Sequence, residues 1–247
     1  MSDGFRMYKG NAISENGWRI CTDDILDRGS IPGTGIKIAL RRGIPTLILK
    51  GWASWYNTNV EPLEGGAPDE GGWTFDNSVA NSNHLSGTAV DLNWNKYPFR
   101  QLTMGQAKVG KVQEGLEKFR GCVWWGRDWV SPKDEMHYQL NFREGDARLA
   151  ALATDLQNGY LGIWTAQEKR DDVHPVGVVL RLGDQGDEVR KLQALLNRDY
   201  PLYSHLEEDG DFGPATDSVV REFQRRAGLL VDGIVGPETL IRLGLTF

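Results

Sequence analysis

The sequence predicts two domains: an α+β domain with a small antiparallel sheet, then an all-α domain of three short helices. Three observations predict this. The chain has 247 residues, long for one small domain and comfortable for two. Its first part mixes strand-like runs with helical periodicity. Its last part repeats a glycine–proline phrase: Asp209-Gly210-Asp211-Phe212-Gly213-Pro214-Ala215-Thr216 returns as Asp232-Gly233-Ile234-Val235-Gly236-Pro237-Glu238-Thr239.

In the first part, Ile36-Lys37-Ile38-Ala39-Leu40 alternates like a strand, and Thr46-Leu47-Ile48-Leu49 is apolar enough for another. Glu64 to Gly72 is polar and glycine-rich, a candidate lid or binding loop or else a surface excursion. Ala89-Val90-Asp91-Leu92 alternates, and Met104 to Phe119 reads as a helix. Cys122 to Trp125 and Met136 to Leu140 read as strands, and Ala147 to Leu156 as the last helix of this domain. The charged Asp171-Asp172 followed by Pro175 and Gly177 reads as a linker. Each glycine–proline copy then launches a helix, because proline at the first helical position loses no hydrogen bond. Val219, Val220, Phe223 and Ala227 line one such helix, Leu240, Ile241 and Leu243 the other. Val189, Leu192, Leu195 and Leu196 line a third upstream. The expected boundaries are 1–158, a linker over 159–178, and 179–247.

Composition narrows the function. Hydrophobic residues are 40% of the chain, enough for a core in each domain, and the net charge is -6. Arginines pair only at Arg41-Arg42 and Arg225-Arg226, so no basic cluster exists to grip nucleic acid. No run approaches eighteen apolar residues, so no membrane-spanning helix is expected. Met1 to Arg6 lacks the basic start and apolar run of a secretory signal. The expectation is synthesis in the cytoplasm as a monomer, with release by another agent if the target lies outside. Cys21 and Cys122 are too few for a disulfide framework. They either pair across the fold or, as the composition favours, stay buried and free.

Only four histidines are present. His84 lies in Ser82-Asn83-His84-Leu85-Ser86-Gly87-Thr88-Ala89-Val90-Asp91, and His137 in Asp134-Glu135-Met136-His137. A catalytic zinc takes three nitrogen or carboxylate ligands and leaves one position open. His84, Asp91 and His137 supply such a set, with the Ser-Gly-Thr turn letting the chain fold back. Ser86 has no Gly-x-Ser-x-Gly setting and reads as a turn residue. His174 and His205 read as solvated.

The phrases S-x-H-x-x-G-x-A-x-D over Ser82 to Asp91 and D-x-x-H over Asp134 to His137 resemble the paired signatures of the VanY-type zinc peptidases. That family includes D-alanyl-D-alanine carboxypeptidases, dipeptidases and the L-alanyl-D-glutamate peptidases of phage endolysins. Pro32-Gly33-Thr34, Val60 to Leu63 and Trp125-Gly126 look like its endolysin branch. The resemblance implies Zn2+ held by His84, Asp91 and His137, with Asp134 as general base. Glu135 is the rival base, because on an ideal strand it shares a face with His137. One departure matters. Family members carry an arginine in a strand-end motif resembling S-G-Y-R-S, and the nearest match, Lys50-Gly51-Trp52-Ala53-Ser54, has Ala53 there. Lys50 or Arg100 could substitute as the oxyanion partner, or each is a surface cation. The C-terminal segment resembles the peptidoglycan-binding-domain-1 family through Gly183 to Val189, Leu192-Gln193, Phe223-Gln224 and the two repeat copies.

Together these resemblances imply an endolysin-type zinc metallopeptidase that cuts an amide bond of the peptidoglycan stem peptide, L-alanyl-D-glutamate or D,D, and is anchored to the wall by its C-terminal domain. The alternatives are a non-catalytic wall-binding or virion structural protein, and a bacterial D,D-carboxypeptidase.

Overall fold

The computed structural model describes residues 4–63, 69–164, 180–229 and 231–245. The chain divides into two compact units, Met1–Pro175 and Val176–Phe247. Residues 165–179, with His174 and most of the expected linker, lie outside the described residues, as do 64–68 of the polar loop. The start of the expected linker packs on the first unit. Trp164 is buried there, and its indole N–H donates to the Leu47 carbonyl at 3.3 Å.

In the first unit, β1 (Leu26–Asp27) pairs antiparallel with β2 (Leu40–Arg41). Of the strand expected over Ile36 to Leu40, only Leu40 enters β2; Lys37 makes a single bridge to Ser30 across the Pro32-Gly33 turn. The strand expected over Thr46 to Leu49 is instead the start of helix α1 (Ile44–Asn59), with Pro45 in its first turn. Every residue from Pro45 to Tyr56 is buried. A helix enclosed on all sides has no polar face, so its first turns read as one apolar run.

The main sheet has three antiparallel strands, with β5 (His137–Leu140) between β3 (Ala89–Asp91) and β4 (Val123–Trp125). Asp91 faces His137, Val90 faces Tyr138 and Ala89 faces Gln139. Because strand side chains alternate, Val90 and Tyr138 share one sheet face, and Asp91, His137 and Gln139 share the other. The Tyr138 ring meets Trp52 and Tyr56 of α1 at 5.1 and 5.8 Å. The first face is thus closed by α1, which leaves the second for chemistry. Helices α2 (Gln106–Lys118) and α3 (Ala147–Gln157) flank α1. Asp146 caps α3 by accepting from the Arg148 N–H at 3.0 Å.

Two charge clusters are buried in this unit. Lys50 of α1 pairs with Asp27 at 2.7 Å and donates to the Gly29 carbonyl at 2.6 Å. Glu144 takes Arg19 and Arg41, each at 2.7 Å. Cys21 and Cys122 are free and buried, and burial pushes each thiol up to about 11.

The described residues of the second unit form helices α4 (Asp187–Asp199), α5 (Pro214–Ala227) and α6 (Pro237–Leu243). Val189, Leu192, Leu196, Phe212, Val220, Phe223 and Leu240 make its core. The sequence repeat has a structural counterpart. Gln193 of α4 donates to Asp209 Oδ1 (2.9 Å) and the Asp211 carbonyl (3.0 Å), and accepts from the Gly210 N–H (2.9 Å). Gln224 of α5 does the same one repeat later, with Asp232 Oδ1, the Ile234 carbonyl and the Gly233 N–H, all at 2.9 Å. Each Asp-Gly loop is clamped by a buried glutamine of the preceding helix, which explains why the loop and the glutamine recur together.

Candidate metal centre

The β3–β5 register sets Asp91 opposite His137. His84 arrives from a 3-10 turn, Asn83–Ser86, capped by the Ser82 hydroxyl. Gly87 ends that turn at φ 66°, and a Cβ there would lie 2.6 Å from the Arg41 backbone nitrogen. The glycine therefore lets the chain reverse into β3 and carry His84 to Asp91. Ser86 is wholly buried, and its hydroxyl bonds Ser14, Thr88 and the Asn83 carbonyl, so it serves the turn.

Donor atoms of His84, Asp91 and His137 all lie within 4.8 Å of one another. His84 Nε2 is 3.2 Å from His137 Nδ1 and 3.3 Å from Asp91 Oδ2, and His137 Nδ1 is 2.9 Å from Asp91 Oδ1. The outer ring atoms decide what these inner atoms are. His84 Nδ1 donates to the Gly72 carbonyl at 2.7 Å, and His137 Nε2 donates to Gln139 Oε1 at 3.0 Å. Each neutral imidazole then presents a lone pair inward. Two lone pairs and a carboxylate thus converge with no donor between them, an arrangement that needs a cation or a proton. The separations suit a tetrahedral ion with bonds of ~2.0–2.1 Å, whose edges run ~3.3 Å. Where the histidines are protonated instead, they supply the positive charge themselves. Burial alone would raise the Asp91 pKa, but His84 and His137 outweigh it and hold the carboxyl far below its usual range. Burial would lower that of His84, and Asp91 reverses this.

Asp134 lies in the irregular stretch before β5, its N–H donating to the Gly126 carbonyl at 3.1 Å. A Cβ on Gly126 would come within 2.5 Å of the Asp134 carbonyl oxygen and 3.3 Å of His137 Cβ, so only glycine lets this segment close against the end of β4. The Asp134 carboxylate is buried, and its Oδ1 has no hydrogen-bond partner among the described residues. Burial and the Asp91 charge push its pKa up to about 6, against the pull of His137. Glu135 is spent on structure: it takes the Arg127 guanidinium and the backbone N–H groups of Thr103 and Met104. The strand begins only at His137, so Glu135 is not on the ideal strand that would align it with the histidine.

Lys50 is not the surface cation that one reading allowed, since its charge is buried with Asp27. Lys50 to Ser54 lies inside α1 rather than at a strand end, and Ala53 is fully buried. Arg100 is exposed, and its N–H bonds the carbonyl of Lys133, the residue before Asp134. His205 is exposed.

Sequence reasoning missed the outer contacts. Gln139 Oε1 also accepts from Asn83 Nδ2 at 2.8 Å, and Asn83 Oδ1 accepts from the Asn16 N–H at 2.9 Å. The spacing of His137 and Gln139, two apart on a strand, was the available signal. The polar loop contributes at its end: Gly71 bridges to Asp91 and Gly72 supplies the carbonyl to His84. The Trp129 ring lies 4.9 Å from the His137 ring.

Residues 76–140, which contain all four of these site residues, match the family described as D-alanyl-D-alanine carboxypeptidase. Residues 185–243 match the family described as putative peptidoglycan binding domain. The chain thus joins a D-alanyl-D-alanine carboxypeptidase-family segment to a putative peptidoglycan-binding domain. Among its relatives, the zinc D-Ala-D-Ala carboxypeptidase of Streptomyces albus G is 44% identical over 62 residues, 25% of this chain and 24% of that protein. The N-acetylmuramoyl-L-alanine amidase CwlM of Mycobacterium tuberculosis is 49% identical over 55 residues, 22% of this chain and 13% of that protein. The chain therefore spans a quarter or less of the length of these two curated relatives. The crystal structure of the Burkholderia AP3 phage endolysin is 38% identical over 28% of each chain, with a TM-score of 0.25.

Proposed function

We propose that the first unit is a zinc-dependent peptidase that hydrolyses an amide bond of the peptidoglycan stem peptide, and that the second anchors it to the wall as in an endolysin. The observation that carries this is the inward convergence of His84 Nε2, His137 Nδ1 and the Asp91 carboxylate beside a buried carboxylate, that of Asp134, one of whose oxygens has no hydrogen-bond partner among the described residues. The donor set suits zinc, and the name of the Streptomyces albus G relative supports that metal. Zinc bound there would acidify a water and polarise the scissile carbonyl.

The chain's own residues then have distinct tasks. Gly72 and Gln139 hold the two imidazoles in the tautomers that face inward. Asp134 accepts the proton of the attacking water at its free Oδ1 and returns it to the leaving amine. Burial raises the affinity of that carboxylate for a proton, which suits it to take one. Of the two cations the sequence offers for the developing oxyanion, Lys50 is committed to Asp27, which leaves Arg100.

Digestion of purified peptidoglycan followed by mass spectrometry tests the reading, because each new N-terminus names the bond cut. The expected result is a free D-glutamate or D-alanine amine, absent with His137→Ala. Walls left intact by a zinc-loaded chain that still binds them would favour the non-catalytic wall-binding protein.

A further inference from the structure

The repeat and its glutamine clamps account for the frame of the second unit but not for one of its surfaces. A cleft of about 510 Å³ opens on this unit, lined by Tyr200, Leu202, Tyr203, Phe223, Arg226 and Arg242, among others. Leu202 is 91% exposed at its edge. The Tyr200 and Tyr203 rings lie 5.8 Å apart, and Tyr200 is braced edge-on by Phe223 at 5.0 Å. Neither phenol oxygen has a hydrogen-bond partner among the described residues.

The charges around the cleft are unequal. Asp199 is paired with Arg198 at 2.6 Å, and Arg226 with Glu222 at 2.6 Å, its guanidinium lying 4.6 Å from the Tyr203 ring centre. Elsewhere on the unit, Arg190, Arg221 and Arg225 each hold a carboxylate one helical turn away. Arg242 is exposed and lines the cleft. An exposed leucine, a packed aromatic pair whose hydroxyls have no partner among the described residues, and an exposed guanidinium line one concavity. Apolar rings suit a sugar face, hydroxyls suit its polar rim, and a guanidinium suits a carboxylate.

We propose that this cleft is where the second unit grips the wall, and that it takes a peptide-bearing sugar, with the ring against the tyrosine pair and Leu202 and a stem-peptide carboxylate on Arg242. This rests on reading the unit as a peptidoglycan-binding domain. It adds a location, and a preference for the peptide-substituted sugar over bare glycan.

The test uses the full chain carrying Asp134→Asn, so that walls are not digested during measurement. Its affinity for purified walls is compared with that of the same chain carrying in addition Arg242→Gln or Leu202→Ser, both exposed positions, with circular dichroism verifying the fold. Each added change should weaken wall binding about tenfold or more. Raising the salt should weaken the parent but barely affect Arg242→Gln. An N-acetylglucosamine oligomer, which lacks the carboxylate, should bind parent and Arg242→Gln alike. Wall affinities equal to the parent's in both variants overturn the cleft and leave the domain reading standing. A parent that fails to bind walls overturns both.

Discussion

Asp91 and Asp134 share one buried site, and their surroundings drive them apart. Asp91 is held ionised by the positive charge at His84 and His137, while burial and the Asp91 charge outweigh the pull of His137 on Asp134 and push it up to about 6. A ligand must stay ionised, and a base must both take and release a proton, so the split matches the proposed roles. Asp134→Asn should keep zinc but lose ~100- to 10,000-fold in rate, read on purified muropeptides. The same change should stabilise the metal-free fold. The folded pKa of Asp134 lies above the ordinary 3.8, so the wild-type protein carries a penalty that is full above pH 6 and gone below about 3.8. Melting in a chelator should therefore show Asp134→Asn ahead at pH 7, with the gap closing as the pH falls towards 4. Gln139→Leu should leave His137 free to turn, and should weaken zinc affinity ~10- to 100-fold in a chelator competition.

At the scale of elements, α1 decides how the sheet is used. It seals the Tyr138 face and carries Lys50, whose charge is met by Asp27. Lys50→Met should cost ~3–5 kcal/mol in urea unfolding, because it strands a buried carboxylate. Several elements were legible in the sequence. The strands around Val90, Val123 and Tyr138 and the helices α2 and α3 follow from their alternation or helical spacing. The donors of the site were legible as residue types in order. Helix α1 was not, since a helix without a polar face has no period to read in its first turns. Nor were the roles of Gln139 and Gly72, which follow from strand pairing and from how the polar loop returns to β3, both long-range facts. The choice between Asp134 and Glu135 turned on where β5 begins, and strand ends are the least readable feature of a sequence.

For the whole molecule, the proposal divides labour between two units. The anchor raises the local concentration of stem peptides around a peptidase that needs only modest affinity of its own. The second unit has its own core and its own glutamine-clamped loops. A fragment beginning near Val178 should therefore fold cooperatively and sediment with cell walls; a soluble fragment beside a sedimenting full chain would move the anchor elsewhere. The division has meaning only if the first unit holds its metal. The most direct measurement is the metal content of the purified full chain by mass spectrometry, wild type beside His137→Ala. We expect one zinc per wild-type chain and close to none in the variant. A wild-type chain that takes up no zinc, or a His137→Ala chain that keeps a full equivalent, would contradict the assignment of His84, Asp91 and His137.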